Sequence, residues 1–187
     1  MADLIIEVLQ TLTYDRPEIK NGYTDQTLCV DLSKPAISIK SVPPEVKQKF
    51  IGGRGYNLWL LWHAVKANTR WNDPENALCI ASGPLGGTPV YPGSGKSIVT
   101  TLSPLTGSVM DSNVGGYFGP YLKFSGFDAL EIQGQASDEV VVLIDGVEQK
   151  IQILAGAELQ ALVVRQLEQQ AHHIMGQMID RVYAARQ

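Results

Sequence analysis

Cationic side chains set among glycines are the residues of this sequence best suited to chemistry, and the chemistry they suit is the holding of an anion. Tyr91-Pro-Gly-Ser-Gly-Lys-Ser97 comes nearest to a phosphate loop. Such a loop needs a Gly five positions before the Gly of Gly-Lys-Ser, and a following helix whose N–H groups and dipole face the phosphates. Val90 occupies that position, and Ser97–Leu102 alternates β-branched residues in the manner of a strand. Spacing and context both argue against nucleotide hydrolysis.

Four segments carry the glycine: Gly52-Gly-Arg-Gly55, Gly83-Pro-Leu-Gly-Gly87, Gly93-Ser-Gly-Lys96 and Asn113-Val-Gly-Gly-Tyr-Phe-Gly119. Taken singly, each reads as a tight turn between strands. Four in one chain point to a large polyanionic ligand, because glycine lets a ligand approach the backbone and frees N–H groups for anionic oxygens. Arg54 and Lys96 would add positive charge, and Gly95, Gly115 and Gly116 would supply the close approach. No residue is a good general acid or base. His63, His172 and His173 fall in helical segments without metal-ligand spacing, and Cys29 and Cys79 sit apart in apolar runs with no CxxC pair.

The elements that must position these segments follow from periodicity. Residues 1–22 read as an N-terminal appendage, a short helix or strand ending near Asp15-Arg16-Pro17. Strands are predicted at 27–33 and 36–41, with a turn at Lys34-Pro35. Pro43-Pro44-Glu45 opens a helix that the Gly52 segment interrupts, and a Leu- and Trp-rich helix runs from Tyr56 to Val65. Ala77–Ser82 is a continuous apolar run, as in a strand covered on both faces. Residues 83–120 enclose one predicted strand, 97–102. More strands are predicted at 129–133, 140–144 and 150–154, the last two joined by a turn at Asp145-Gly146. A helix is expected over 158–178 and a final strand from Arg181. The order strand, strand, helix, strand over 27–82 recurs over 139–185, which predicts an α+β fold of two similar sheet-containing halves.

Composition bounds the rest. At 187 residues, 44% hydrophobic and 18% charged, the chain suits one domain over 23–187 beside the appendage. A net charge of -4 argues against nucleic acid, whose phosphates call for dense Lys and Arg contacts. No apolar run reaches the ~20 residues of a membrane span, and the N-terminus lacks the basic flank of a secretory signal, so the expected location is the cytoplasm.

A longer series of motifs goes further. Phe50-Ile-Gly-Gly-Arg-Gly55, Asp73-Pro-Glu-Asn-Ala-Leu78, Ala81-Ser-Gly-Pro-Leu-Gly-Gly-Thr88, Ser103-Pro-Leu-Thr-Gly107 and Asp111-Ser-Asn-Val-Gly-Gly-Tyr-Phe-Gly-Pro-Tyr-Leu-Lys-Phe-Ser-Gly-Phe-Asp-Ala-Leu130 occur in this order. The series resembles the N-terminal domain of aldehyde:ferredoxin oxidoreductases, most clearly over 23–154. The resemblance implies a two-sheet base that binds a tungsten bis-pterin cofactor (tungstopterin) with a magnesium ion bridging the two pterin phosphates. It implies a backbone carbonyl of Asn113 on that magnesium, a backbone contact to pterin at Gly115, and Lys96 where the family usually has an Arg. Lys keeps the charge but loses the planar fork that makes two oriented contacts.

The same resemblance implies oxidation of aldehydes, with electrons passing through a four-iron–four-sulfur cluster to ferredoxin. The cluster cysteines and substrate-facing residues belong farther along such a chain than Gln187. This chain is therefore expected to act as a cofactor-binding domain or subunit, inactive alone, beside a partner chain that carries the remaining catalytic domains, or to self-associate. The alternatives are a non-catalytic pterin-cofactor carrier or assembly protein, and a remnant without ligand. The substrate is not written in these residues.

Overall fold

Twelve elements follow one another in the computed structural model, which describes residues 7–156. They are β1 (Val8–Thr13), β2 (Gln26–Asp31), β3 (Ala36–Ser41), α1 (Pro44–Phe50), α2 (Gly53–Ala64), β4 (Ala77–Ala81), β5 (Ser97–Leu102), β6 (Val109–Val114), α3 (Phe118–Phe124), β7 (Ala129–Gln133), β8 (Val140–Asp145) and β9 (Lys150–Ala155). The expected helix over 158–178 and the strand from Arg181 lie outside the described residues.

The fold is α+β with two sheets. One has six strands in the order β3-β2-β7-β4-β5-β6, the other three in the order β1-β9-β8. Among the described residues the two sheets are therefore unequal, and β7 joins the larger sheet, parallel to β2 and antiparallel to β4.

Alternation along the strands explains why β2 and β7, at the centre of the large sheet, are covered on both faces, whereas β4 is buried on its helix side and leaves Leu78 exposed. Leu28 and Val30 of β2 and Leu130 of β7 point one way, toward Ile151 and Ile153 of β9 and the half-buried Leu12 and Tyr14. Ala77, Cys79 and Ala81 of β4 and Ala129 of β7 point the other way, toward Tyr56, Leu60 and Leu61 of α2. Small side chains on the sheet leave room for large ones on the helix, which keeps the interior close-packed. The result is three layers: helices, large sheet, small sheet.

Residues 8–14 pack into the fold. β1 pairs antiparallel with β9, from Thr13 opposite Lys150 to Val8 opposite Leu154, and the Tyr14 ring tilts against Phe127 at 5.0 Å. The partner lies some 140 positions away, so periodicity within the first twenty residues gives no sign of the pairing.

Two elements go beyond the sequence reading. β6 is rich in Asp, Ser and Asn, which are poor strand formers, yet it pairs with β5 along its whole length. α3 contains Gly119 and Pro120. Pro is tolerated there because first-turn N–H groups have no helical partner in any case. α3 ends where Phe127 N–H bonds the Leu122 carbonyl and Gly126 N–H bonds that of Lys123, a Schellman arrangement with Gly126 at φ 101°.

Candidate functional site

The strand directions bring the glycine segments together. β4 ends, β5 begins and β6 ends at the same edge of the large sheet, because β4 and β6 both run antiparallel to β5. Gly83–Gly87 leaves β4 there, Gly93–Lys96 enters β5, and Gly115–Gly119 leaves β6. The start of α2 joins them, since Gly53 N–H bonds the Ser82 carbonyl at 3.2 Å.

Contacts tie one segment to the next. Gly87 N–H donates to the Ser94 carbonyl at 3.0 Å. A Cβ at Gly95 would fall 2.8 Å from the Gly116 carbonyl oxygen, so backbone meets backbone and only glycine fits. The Lys96 ammonium lies 3.6 Å from where a Gly115 Cβ would stand. Gly95, Lys96, Gly115 and Gly116 thus form one patch.

The two cations there differ. Lys96 is exposed, and among the described residues its side chain makes no hydrogen bond or ion pair with protein. Arg54 is committed: Nε and one terminal nitrogen donate to Asp111 Oδ2 at 2.9 and 2.7 Å. Asp111 stands two residues before Asn113 on β6, so Arg54 fastens α2 to the strand that carries Asn113. Asn113 itself is exposed, opposite Ile98, on an edge strand whose outer side pairs with no strand of the described residues.

Buried polar atoms and exposed apolar ones both mark this end. Among the described residues, Ser82 Oγ and Ser97 Oγ are buried without a partner. Ile51, Leu85, Val90, Tyr91, Tyr117 and Phe118 are exposed, Val90 to 87%. Each is in or beside a glycine segment, a concentration of apolar surface that proteins reserve for contacts.

Two groups that the sequence reading did not single out brace the same end. Lys123 and Asp128 form an ion pair with 1% and 7% side-chain exposure. Asp128 also accepts the amides of Thr24 and Asp25, while Lys123 donates to the Gly22 carbonyl. The signal was present in Lys123-Phe-Ser-Gly-Phe-Asp128: a basic and an acidic residue flanking a glycine that closes a helix.

The remaining candidates are structural. His63 Nδ1 is 2.7 Å from the Trp59 carbonyl, one helical turn back. Cys29 and Cys79 flank Glu131 on adjacent strands, and burial, then the Glu131 charge, pushes the Cys29 thiol up to about 12. Among the described residues no three His, Cys, Asp or Glu side chains come together as a metal centre, and no helix is long and apolar enough to cross a membrane.

Comparison with known proteins gives the family. Residues 27–185 match the family model described as "Aldehyde ferredoxin oxidoreductase, N-terminal domain". The tungsten-containing aldehyde ferredoxin oxidoreductase of Pyrococcus horikoshii is 34% identical over 155 residues, which are 83% of this chain and 25% of that protein. Its Pyrococcus furiosus counterpart is 41% identical over 115 residues, 62% of this chain and 19% of that protein. Among solved structures, the active-site complex BamBC of benzoyl coenzyme A reductase, bound to 1,5-dienoyl-CoA, superposes with a TM-score of 0.70 at 33% identity. That match covers 74% of this chain and 21% of the other. The chain spans about a quarter of the length of the relatives it matches. It belongs to the aldehyde ferredoxin oxidoreductase family, to which it corresponds through the N-terminal domain.

Proposed function

We propose that the glycine-lined end of the large sheet is one face of a tungstopterin site, the rest of which other domains or a partner chain supply. The observation that carries this is the meeting of four glycine segments at one end of the large sheet beside Lys96, a cation with no protein partner among the described residues. A bis-pterin cofactor with phosphate tails suits such a face. The Gly95–Gly116 contact leaves no Cβ in the way, and among the described residues the buried Ser82 and Ser97 hydroxyls lack partners.

In this reading the Lys96 ammonium neutralises phosphate charge, and the backbone at Gly95, Gly115 and Gly116 lines the pterin. The backbone carbonyl of Asn113, on the edge strand, would serve as a ligand to magnesium. Arg54 contributes by holding α2 to β6 rather than by contacting phosphate, since Asp111 already occupies two of its nitrogens. The cofactor, when bound, supplies the redox chemistry, while the protein contributes orientation and electrostatics. Aldehyde oxidation, electron transfer through a four-iron–four-sulfur cluster to ferredoxin, and a cytoplasmic setting belong to the proposed whole enzyme. The exposed apolar residues around the site are its contact surface with the remaining domains.

Lys96→Ala in the native assembly tests this. A charge-assisted contact contributes about 1.5–3 kcal/mol, so tungsten and pterin content at limiting cofactor should fall about ten-fold or more. The melting transition without cofactor should hardly move, because an exposed loop side chain contributes under about 0.5 kcal/mol. Lys96→Arg should retain cofactor. Unchanged occupancy in Lys96→Ala would refute the reading.

A further inference from the structure

The joint between α1 and α2 turns on a strained residue. Ile51 has φ 63° and ψ -46°, and the Gly52 N–H bonds the Phe50 carbonyl two residues back at 2.6 Å. This is a γ-turn of the rare positive-φ kind, and a β-branched residue at its centre is an outlier. Such strain persists only where surrounding structure over-determines it. The Ile51 side chain does not provide that, being 61% exposed. A small surface cleft borders Tyr23, Ile51, Gly52 and Ser82.

Outside its own helix the turn meets the Ser82–Gly83 backbone, against which Gly52 packs, and Tyr23, whose hydroxyl donates to the Ile51 carbonyl at 2.8 Å. Tyr23 is fixed in turn. Its backbone exchanges hydrogen bonds of 2.8 and 3.0 Å with Lys20, and its ring lies 4.9 Å from the Lys47 ammonium and 5.7 Å from that of Lys123. The buried Lys123–Asp128 pair anchors the backbone on either side, at Gly22, Thr24 and Asp25. Burial, then the Asp128 charge, raises the phenol above its ordinary range, so the hydroxyl keeps the proton it donates.

We infer that Tyr23 is a positioning residue of the glycine-lined face: it holds Ile51 in the γ-turn and so sets Gly52, Gly53 and Arg54 against Ser82 and β6. The inference rests on the proposed cofactor face for its functional consequence, but its structural claim stands apart. Relaxing Ile51 to negative φ would swing the start of α2 and loosen the Gly53–Ser82 bond and the Arg54–Asp111 pair together.

A double-mutant cycle in the full chain tests it, using Tyr23→Phe, Ile51→Gly and both. Gly adopts positive φ without a Cβ penalty, so in the Ile51→Gly background the turn no longer needs the hydroxyl. The readouts are amide exchange at Gly52 and Gly53, with β4 and β7 amides as the folding control, and tungsten and pterin content of the native assembly. Tyr23→Phe alone should speed exchange at Gly52 and Gly53 about five- to ten-fold, leave β4 and β7 unchanged, and lower occupancy several-fold. In the Ile51→Gly background the same substitution should change both readouts less than about two-fold. Equal effects in the two backgrounds, or unchanged exchange in Tyr23→Phe, would overturn the inference. Wild-type protein that takes up no cofactor would instead sink the cofactor reading, and the exchange cycle would still decide the role of Tyr23.

Discussion

Replacing Lys123 by Met removes a charge and keeps the volume, and the structure sets the size of the loss. The Lys123 side chain is 1% exposed and that of Asp128 7%, so water cannot take the place of the ammonium. Breaking a buried pair by removing one partner costs about 3–5 kcal/mol, because the other charge stays behind uncompensated. Asp128 keeps the Thr24 and Asp25 amides as donors, at 3.1 and 2.8 Å, which places the expected loss near the lower end, about 3 kcal/mol. Lys40→Met is the control. Lys40 also meets a buried carboxylate, Glu131, but at 3.4 Å and with 61% of its own side chain exposed, so about 1 kcal/mol or less is expected. Urea unfolding of the full chain, followed by tryptophan fluorescence and far-ultraviolet dichroism, measures both. With a slope of about 2 kcal/mol per molar, the Lys123→Met midpoint should fall by about 1.5 M and the Lys40→Met midpoint by under about 0.5 M. Equal shifts in the two variants, or a Lys123→Met midpoint within about 0.5 M of wild type, would refute the assignment of the buried pair as the brace of this end.

Other outcomes follow from individual contacts. Gly126→Ala combines φ 101° with a Cβ 2.8 Å from the Pro17 Cδ, so it should destabilise by about 2–3 kcal/mol. Gly107→Ala, at φ 68° with nothing within 4 Å, should lose only about 1 kcal/mol in the same urea titration. Gly95→Ala must push the Gly116 carbonyl away and should lose about 1–3 kcal/mol together with cofactor retention. Gly83→Ala, which meets nothing within 4 Å, should stay within about 0.5 kcal/mol of wild type by thermal melt. Cys29 and Cys79 should resist a disulfide reagent at pH 8 in the native chain and react fast in urea, since burial keeps both thiols protonated. A native thiol value raised from about 9 to about 12 means that stability is fully present below pH 9 and is lost as pH climbs toward 12. Rapid native labelling at pH 8 would contradict that.

Short-range pattern along the chain is enough to name most of the strands. The strands at 27–33, 36–41, 77–82, 97–102, 129–133, 140–144 and 150–154 all correspond to observed strands, within two residues at either end. Side-chain alternation and turn residues are local properties, and they name a strand wherever it pairs. The glycine segments and Lys96 were equally legible, as was the family, whose motifs are strings of adjacent residues. Tertiary structure alone decided which of these strings meet. Only the antiparallel order β4-β5-β6 puts Gly83–Gly87, Gly93–Lys96 and Gly115–Gly119 at one edge. It also made a strand of Val109–Val114, whose polar residues favour none until β5 offers a ladder, and drew Val8–Thr13 into a sheet with β9. Arg54 shows the limit most plainly. Its sequence neighbourhood gives no sign of its partner Asp111, 57 positions away, because an ion pair depends on distance in space and not along the chain.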